Sequence, residues 1–302
     1  MSKRDFLQIT DFSTGELYRL FDLADEIKEL TKKNCCPKPL AGKSFGCIFH
    51  KPSLRTRISF EVGIAQLGGY SLYITKDEID LGKRESIADA ARALSRFLDG
   101  IIIRTFSHKD VEELAKWASV PVINALTDFT HPCQVISDLF TVREKLGTFE
   151  NKTIVYIGDG NNVARSLINA ARRLPFHLRI GTAKETHPGE LVEIARREGA
   201  KVEVVFDPIQ AVKNADVVYT DVWASMGEKE KIVERESLLR PFQLNLNLLN
   251  QAKTGALVMH CLPAERGREI TDEAMDCEQS VVFDQAENRL HAQKAILVTL
   301  AG

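Results

Sequence analysis

Residues 43–61, KSFGCIFHKPSLRTRISFE, carry a buried-strand pattern followed by a helical one, with a polar loop between them. The run 43–49 is mostly apolar, as in a strand covered on both faces. Ile58, Val62 and Ala65 then recur at helical spacing. A strand followed by a helix is the repeating unit of parallel α/β architecture, so this stretch predicts that fold class.

The loop and the first helical turn of this unit are suited to holding an anion. Ser53 is expected at or near the N-cap. The backbone N–H groups of Leu54, Arg55 and Thr56 then lack intrahelical acceptors, and the helix dipole favours negative charge there. Arg55 and Arg57 add planar donors that suit phosphate oxygens. An ordinary capped helix with solvated arginines is the alternative interpretation of this stretch alone.

Outward from this unit, short apolar runs alternate with helical patterns, which predicts parallel α/β sheets. The expected strands are 43–49, 70–74, 100–104, 121–124, 152–157, 178–182, 202–205, 216–219, 255–259 and 281–283. The expected helices include 54–67, 87–98, 109–118, 132–145, 162–173, 189–199 and a last one at about 285–300. Ser13 to Glu16 has the form of a capping box and opens a further helix.

A domain boundary is expected near Gly147. Lys145-Leu146-Gly147 ends a long helix with a basic last turn and a C′ glycine, and a second series of strands and helices follows. We expect two open parallel-sheet α/β domains, residues 1–147 and 148–302, with roughly four and five strands. Ligands of such sheets bind at the carboxyl ends of strands, so an active-site cleft between the domains is expected.

The composition argues against several classes of protein. Forty basic and 42 acidic residues leave a net charge of −2, so no global field favours nucleic acid or an anionic membrane. The 6 cysteines are scattered, with neither a CxxC pair nor a zinc-like cluster, which fits reduced thiols in the cytoplasm. No apolar run approaches the roughly 18 residues of a membrane span.

Polar residues follow the expected strands in both halves. Arg104 ends the third strand, and His131 and Gln134 share a helix face after the fourth. In the second half the corresponding residues are Asn161, Asn162, Asp221, His260, Cys261 and Leu262. Taken singly, each has an ordinary explanation: a cysteine after a buried strand, for example, is usually a small core residue.

Two turns in the second half suggest recognition of an amino acid. GDGNNV (158–163) resembles a dinucleotide-binding turn, but Val163 replaces the third glycine and the next strand ends without an acidic residue, which argues against nicotinamide. Adjacent asparagines fit the polar end of an amino acid better. In DVWASMGEKE (221–230), Asp221 can bind an ammonium group, and the N–H groups of the SMG turn can bind a carboxylate.

The elements SLRTR, HPCQ, GDGNN, DVWASMG and HCLP occur in this order, and with them the chain resembles the ornithine branch of the carbamoyltransferase family along nearly its full length. The resemblance implies transfer of a carbamoyl group from carbamoyl phosphate to the δ-amine of L-ornithine, giving citrulline and phosphate, with no metal or organic cofactor. It also implies that the first domain binds carbamoyl phosphate, that the second binds ornithine, and that the last helix crosses back to the first domain. Segment 76–86 is similar to a loop that family members place near a neighbouring subunit's site, and the family assembles as homotrimers or multiples of them.

By the same resemblance, the carbamoyl phosphate site comprises Ser53, Leu54, Arg55, Thr56, Arg104, His131, Gln134, Cys261, Leu262 and Arg289. The ornithine site comprises Asn162, Asp221, Ser225 and Met226. Arg104, His131 and Cys261 are the expected catalytic residues, with Cys261 either a proton acceptor or only a contact of the δ-amine. The commonest form of the phosphate motif is STRTR; Leu54 here keeps the backbone N–H and removes one hydroxyl.

Two other functions are the alternatives. A sibling carbamoyltransferase acting on aspartate, putrescine or an acylated ornithine would keep the carbamoyl phosphate site, whereas Asp221 with the SMG turn favours a free α-amino acid. A non-catalytic module that binds an amino acid or phosphate would not need Arg55, Arg104, His131 and Cys261 all at once.

Overall fold

The computed structural model describes residues 3–224 and 232–302. Within these ranges it contains nine β-strands in two sheets and twelve α-helices, and every strand pairs in parallel with its neighbours. The predicted α/β class with two parallel sheets is therefore confirmed. None of the helices in the described ranges is long and apolar enough to cross a membrane.

The strands lie close to their predicted positions. They are β1 (Ser44–Phe49), β2 (Tyr70–Thr75), β3 (Gly100–Arg104), β4 (Val122–Leu126), β5 (Thr153–Ile157), β6 (His177–Gly181), β7 (Val202–Val205), β8 (Val217–Thr220) and β9 (Leu257–His260). The helices are α1 (Thr14–Lys32), α2 (Leu54–Gln66), α3 (Ile87–Leu94), α4 (His108–Trp117), α5 (Pro132–Leu146), α6 (Asn162–Ala171), α7 (Leu191–Arg197), α8 (Pro208–Val212), α9 (Ile232–Leu239), α10 (Leu246–Leu249), α11 (Asp272–Met275) and α12 (Val282–Ala301).

The first compact unit comprises Met1–Phe140 and Glu287–Gly302 and contains a four-stranded sheet in the order β2-β1-β3-β4. Strands β1 and β3 are buried along almost all their length, which explains their continuous apolar sequences. Because the chain runs outward from β1 to β2 and then returns to β3, the switch point of the sheet lies between β1 and β3. Ligands of open α/β sheets bind at this point, so the segments after Phe49 and Arg104 are well placed for a site.

The second compact unit comprises Thr141–Ala286 and contains a five-stranded sheet in the order β7-β6-β5-β8-β9. Its switch point lies between β5 and β8 by the same reasoning. The segments that follow these two strands carry the GDGNN turn and Asp221. The sheet therefore favours a ligand at the residues that the sequence singled out.

The two units do not divide the chain by a single cut, since the division falls within α5 and again within α12. The domain limits 1–147 and 148–302 stay a prediction. The expected strand at 281–283 is wrong: Ser280 makes only an isolated bridge with Val258, and α12 begins at Val282. A short apolar run does not distinguish a buried strand from the start of a buried helix.

Within the first unit, two buried lysines connect α12 to α1 and α2. Lys294 donates to Thr31 Oγ1 and Gln66 Oε1 at 2.7 and 2.8 Å. Lys28 donates to Asn288 Oδ1 at 2.7 Å. These bonds fix the part of α12 that carries the arginine expected in the carbamoyl phosphate site.

Candidate active site

Helix α2 begins without a side-chain cap. Ser53 is its N-cap residue, as predicted, with extended angles of φ −159° and ψ 107°, and no capping bond from its hydroxyl is found among the described residues. The side chains that do cap helices are those of Ser13, Ser86, Ser107, Asn161, Asp207, Asn245 and Thr271. The first-turn N–H groups of α2 are thus oriented to receive an anion.

The two arginines of SLRTR have different surroundings. Arg57 pairs with Glu61 at 3.0 Å and its guanidinium lies 3.6 Å from the centre of the Tyr73 ring. Arg55 is half-buried on the first turn. Because Arg57 is held by Glu61 and Tyr73, Arg55 is the arginine of this motif that we expect to donate to phosphate.

The Thr56 hydroxyl oxygen accepts hydrogen bonds from two guanidinium groups that belong to distant parts of the first unit. Arg104 Nη1 and Arg289 Nη2 lie 3.4 and 2.6 Å from its Oγ1. Both arginines are buried, with 6% and 3% of their surfaces exposed. Two buried positive charges beside a helix N-terminus form a site that a phosphate dianion would neutralise.

His131 lies buried beside this pair of arginines, directly before α5. Its pKa is lowered well below the usual value, first by burial and then by the positive charges of Arg289 and Arg104. The imidazole is consequently neutral at neutral pH. It can donate one N–H to a ligand without adding a third positive charge.

Gln134 is held by a bond within its own helix. Its Nε2 donates to Asp138 Oδ1 at 2.8 Å, and this bond fixes which end of the amide is the oxygen. That oxygen is buried and has no hydrogen-bond donor among the described residues. It is therefore suited to accept from the NH2 group of a carbamoyl ligand.

Lys51, a residue that no sequence motif marks, links the segments around this site. Its buried ammonium pairs with the Asp128 carboxylate and lies 4.3 Å from the centre of the Phe106 ring. The Asp128 N–H donates to the Phe106 carbonyl at 2.9 Å. Segments that follow β1, β3 and β4 are thereby joined. No local pattern predicts the pair, because its members are 77 residues apart.

In the second unit, Asp221 is the centre of a hydrogen-bonded group at the sheet's switch point. Its carboxylate accepts from Asn161 Nδ2 at 2.8 Å, from the Val222 N–H at 2.8 Å and from the Cys261 thiol at 2.9 Å. Asp221 is only 7% exposed. A thiol–carboxylate hydrogen bond therefore joins the segments that follow β8 and β9. Asn161, one of the two adjacent asparagines of the GDGNN turn and absent from the ornithine site that the family resemblance implies, belongs to the same group.

The HCLP segment is fixed by an internal pair, His260 and Glu269, both completely buried. The Leu262 N–H donates to His260 Nδ1 at 2.9 Å, so the ring proton is on Nε2, which donates to Glu269 Oε1 at 3.0 Å. Glu269 Oε1 also accepts from the Glu265 N–H at 2.6 Å. Leu262 has φ 57° and precedes a cis proline. The pair holds the thiol-bearing segment through the Leu262 and Glu265 N–H groups.

The ligand atoms of Asp221, His260 and Cys261 lie within 4.8 Å of one another, close enough to be tested as a metal site. A neutral histidine binds a metal through a nitrogen lone pair. Here Nδ1 accepts from Leu262 and Nε2 bears the proton given to Glu269. In this arrangement the histidine has no lone pair to offer, so the group does not fit a metal ion.

The GDGNN turn lies close to a neighbouring segment. A Cβ at Gly160 would lie 2.4 Å from the Thr186 carbonyl oxygen and 2.6 Å from the Pro188 nitrogen. Glycine is therefore required here by packing within the unit. Asn162, the residue predicted to bind ornithine, is the half-buried first residue of α6.

The structure brings together most of the predicted residues, in one group per unit. Thr56, Arg104, His131 and Arg289 meet in the first unit, with Ser53, Leu54 and Arg55 at the adjoining helix start and Gln134 on α5. Asp221 and Cys261 meet in the second, with Leu262 next to Cys261 and with Asn162 next to Asn161, which bonds to Asp221. Ser225 and Met226 lie outside the described residues.

Comparison with known proteins assigns both halves of the chain to one family. Residues 4–144 match the family model described as aspartate/ornithine carbamoyltransferase, carbamoyl-P binding domain, and residues 150–300 match the Asp/Orn binding domain of the same family. The ornithine carbamoyltransferase of Syntrophus aciditrophicus is 52% identical over 99% of this chain and 99% of its own length. That of Thermococcus kodakarensis is 50% identical over 100% of this chain and 98% of its own.

A solved structure shows the same likeness. The ornithine carbamoyltransferase from Pyrococcus furiosus superposes with a TM-score of 0.95 at 47% identity, over 100% of this chain and 98% of that one. Family models cover both units, and relatives of about equal length match the whole chain. With its fold and sequence alike over their full extent, the chain belongs to the aspartate/ornithine carbamoyltransferase family.

Proposed function

We propose that the protein is an ornithine carbamoyltransferase, which transfers the carbamoyl group of carbamoyl phosphate to the δ-amine of L-ornithine and releases L-citrulline and phosphate. The observation that carries the proposal is the convergence of Arg104 and Arg289 on Thr56, beside the open N-terminus of α2. Full-length relatives named ornithine carbamoyltransferase support the choice of ornithine.

Carbamoyl phosphate binds to residues of the first unit in this proposal. The phosphate takes the N–H groups of the first turn of α2, from Ser53 to Thr56, and the guanidinium groups of Arg55 and Arg289. The carbonyl oxygen accepts hydrogen bonds from the Arg104 guanidinium and from the neutral imidazole of His131. The carbamoyl NH2 donates to the Gln134 amide oxygen.

The chemistry follows from these placements. The neutral δ-amine attacks the carbonyl carbon and forms the new C–N bond, and negative charge develops on the carbonyl oxygen. The C–O bond to phosphate then breaks, and the nitrogen gives up one proton, which leaves with the phosphate as HPO4²⁻. Arg104 and His131 stabilise that oxygen as an oxyanion hole does, and Arg55 with the helix N-terminus stabilises the departing phosphate. Positioning the two substrates supplies the remaining acceleration.

Ornithine binds to residues of the second unit in this proposal. Asn162, Asp221, Ser225 and Met226 hold the α-amino and α-carboxylate groups, as the family resemblance implies. Cys261 and Leu262 lie at the reacting end. The bond between the Asp221 carboxylate and the Cys261 thiol supports this assignment, because it places the residue that holds the α-amino group beside the residue at the reacting end.

We propose that the protein assembles as a homotrimer or a multiple of it. Leu54, Ile58 and Val62 form an exposed apolar stripe on α2, 68%, 49% and 39% exposed, which supports a subunit interface there. Segment 76–86 supports it too, because buried Ile79 and Leu81 attach the loop to the first unit while its charged tip is exposed. Sedimentation velocity is expected to give three copies of the 33.8 kDa chain or a multiple. A stable, active monomer would contradict this.

The catalytic proposal is tested by measuring colorimetric citrulline formation from carbamoyl phosphate and L-ornithine. On the same preparation, kcat/KM is measured for lysine, putrescine and aspartate, with ureido-product detection by mass spectrometry. Ornithine is expected to be preferred over each by about 100-fold or more, because the other amines leave polar groups of the site unpaired or misplace the nucleophile. Preference for another amine would indicate the sibling activity, and no carbamoyl product at all would indicate a binding module.

We also infer a cytoplasmic location. All six cysteines lie within the described ranges and are free thiols, including the exposed Cys35 and the half-buried Cys36. Disulfide-poor proteins with several thiols are typical of reducing compartments.

A further inference from the structure

Asn161 makes two kinds of hydrogen bond that together fix its amide group. As the N-cap of α6, its Oδ1 accepts from the Val163 and Ala164 N–H groups at 2.9 and 3.2 Å. Only the oxygen of an amide accepts, so Nδ2 must face the other way. In that direction it lies 2.8 Å from Asp221 Oδ2.

Capping alone does not require asparagine at this position. Serine and aspartate are equally good N-caps, and this chain uses both elsewhere, for example at Ser107 and Asp207. Neither side chain could accept from the helix and also donate an N–H to a carboxylate. The second bond, to Asp221, is therefore what distinguishes asparagine at position 161.

Asp221 depends on this donor for its orientation. Its Oδ1 accepts from the Val222 N–H and the Cys261 thiol, and Asn161 is the donor to Oδ2. The donors on the two oxygens set the plane of the carboxylate. Loss of the Oδ2 donor would leave a buried oxygen to be satisfied in another way, by rotation of the group.

We propose that Asn161 is a positioning residue for the transfer reaction: it orients the Asp221 carboxylate toward an amino group of the substrate. The inference rests on the proposed function, in which Asp221 binds ornithine. Asn161 itself need not touch the substrate, which distinguishes its role from that of the adjacent Asn162.

Several titratable groups surround Asp221 and bear on the pH dependence of any variant. These groups are Tyr156 in β5, Asp159 in the turn after β5, His260 at the end of β9 and Cys261 directly after it. The pKa of Tyr156 is raised well above its usual value by burial and then by the charges of Asp221 and Asp159. Asp159 is itself paired with Arg235 at 3.1 Å.

The decisive variant is Asn161→Asp. It keeps the cap, because a carboxylate oxygen accepts from the same two N–H groups, and it replaces the donor by a second carboxylate facing Asp221. We expect kcat/KM for ornithine to fall by about 100-fold, since a small misplacement of a substrate-binding group has effects of this size. The KM for carbamoyl phosphate should change by less than about twofold. The acid limb of the ornithine kcat/KM profile should move to higher pH, because adjoining carboxylates favour holding a proton between them.

Two controls separate positioning from capping. Asn245→Asp makes the same change at another cap of the second unit, where Asn245 Oδ1 accepts from the Leu248 N–H at 2.9 Å, and should leave ornithine use unchanged. In an Asp221→Asn background, Asn161→Asp should cause no further loss, because Asn161 acts through Asp221. An equal loss in both backgrounds would overturn the proposal.

A readout that does not need activity completes the test. Alkylation of Cys261 by iodoacetamide at about pH 8.5, followed by peptide mass spectrometry, should be several-fold slower in Asn161→Asp, because added negative charge disfavours the thiolate. Exposed Cys35 serves as the internal reference. If wild type makes citrulline and Asn161→Asp keeps ornithine kcat/KM within about threefold, only the positioning proposal fails. If wild type makes no citrulline, the proposed function fails. If the alkylation rate of Cys261 is the same in Asn161→Asp as in wild type, the positioning role is overturned as well.

Discussion

Arg104→Ala is expected to lower kcat/KM for carbamoyl phosphate by at least about 100-fold, because it removes a charged donor from the oxygen on which negative charge develops. The guanidinium of Arg104 is buried and bonded to Thr56, so water could replace it only poorly. Arg55→Ala should cause a loss of similar size through the departing phosphate. Steady-state kinetics with both substrates varied gives each value.

Arg92→Ala is the matched control for both arginines. Arg92 lies in the same unit, pairs with Asp89 at 3.0 Å and stacks over Trp117, but it is exposed and belongs to no site proposed for this protein. Its removal should leave kcat/KM within about twofold of wild type. Thermal unfolding of each variant checks that the fold persists. If Arg55→Ala or Arg104→Ala kept more than about a tenth of wild-type activity, a loss below roughly 1.4 kcal/mol, the assigned role would be wrong.

The local structure could be predicted because its signals are local. Strands β1 and β3 are continuous apolar runs, and helix starts such as Ser13 and Ser53 are marked by residues a few positions apart. The prediction of a strand at 281–283 was wrong because a short apolar run does not distinguish the repeat of a strand from that of a helix. Sheet order was beyond a local pattern, since the switch points depend on which strands pair across the whole unit.

The contacts that complete the site are long-range, and the sequence carries no periodic signal for them. Thr56 and Arg289 are 233 residues apart, and Asn161 and Asp221 are 60 apart. Motif resemblance supplied Arg289, because its role follows from the family. It did not supply Asn161, whose importance depends on the direction in which a capping amide points.

Asp221→Asn is expected to lower kcat/KM for ornithine by at least about 100-fold and to change KM for carbamoyl phosphate by less than about threefold. The substitution removes the negative charge that pairs with an amino group. In the wild-type protein the Asp221 carboxylate accepts hydrogen bonds from Asn161, Val222 and Cys261. The substitution replaces one of its oxygens by an NH2 group, which is itself a donor. A buried amide cannot satisfy all three donors, so the loss includes misplacement as well as lost charge.

Asp216→Asn provides a comparison at the opposite end of the same strand, because Asp216 directly precedes β8 and Asp221 directly follows it. Asp216 accepts from the Thr153 N–H at 2.8 Å and pairs with Lys253 at 2.7 Å, so its replacement also removes a charge and disturbs a bonded carboxylate. Ligands of a parallel sheet bind at the carboxyl ends of its strands, so only the variant at Asp221 should impair ornithine use. Equal loss in both variants would mean that the second unit responds to general destabilisation. A selective loss at Asp221, together with unchanged carbamoyl phosphate kinetics, would assign amine recognition to this end of β8.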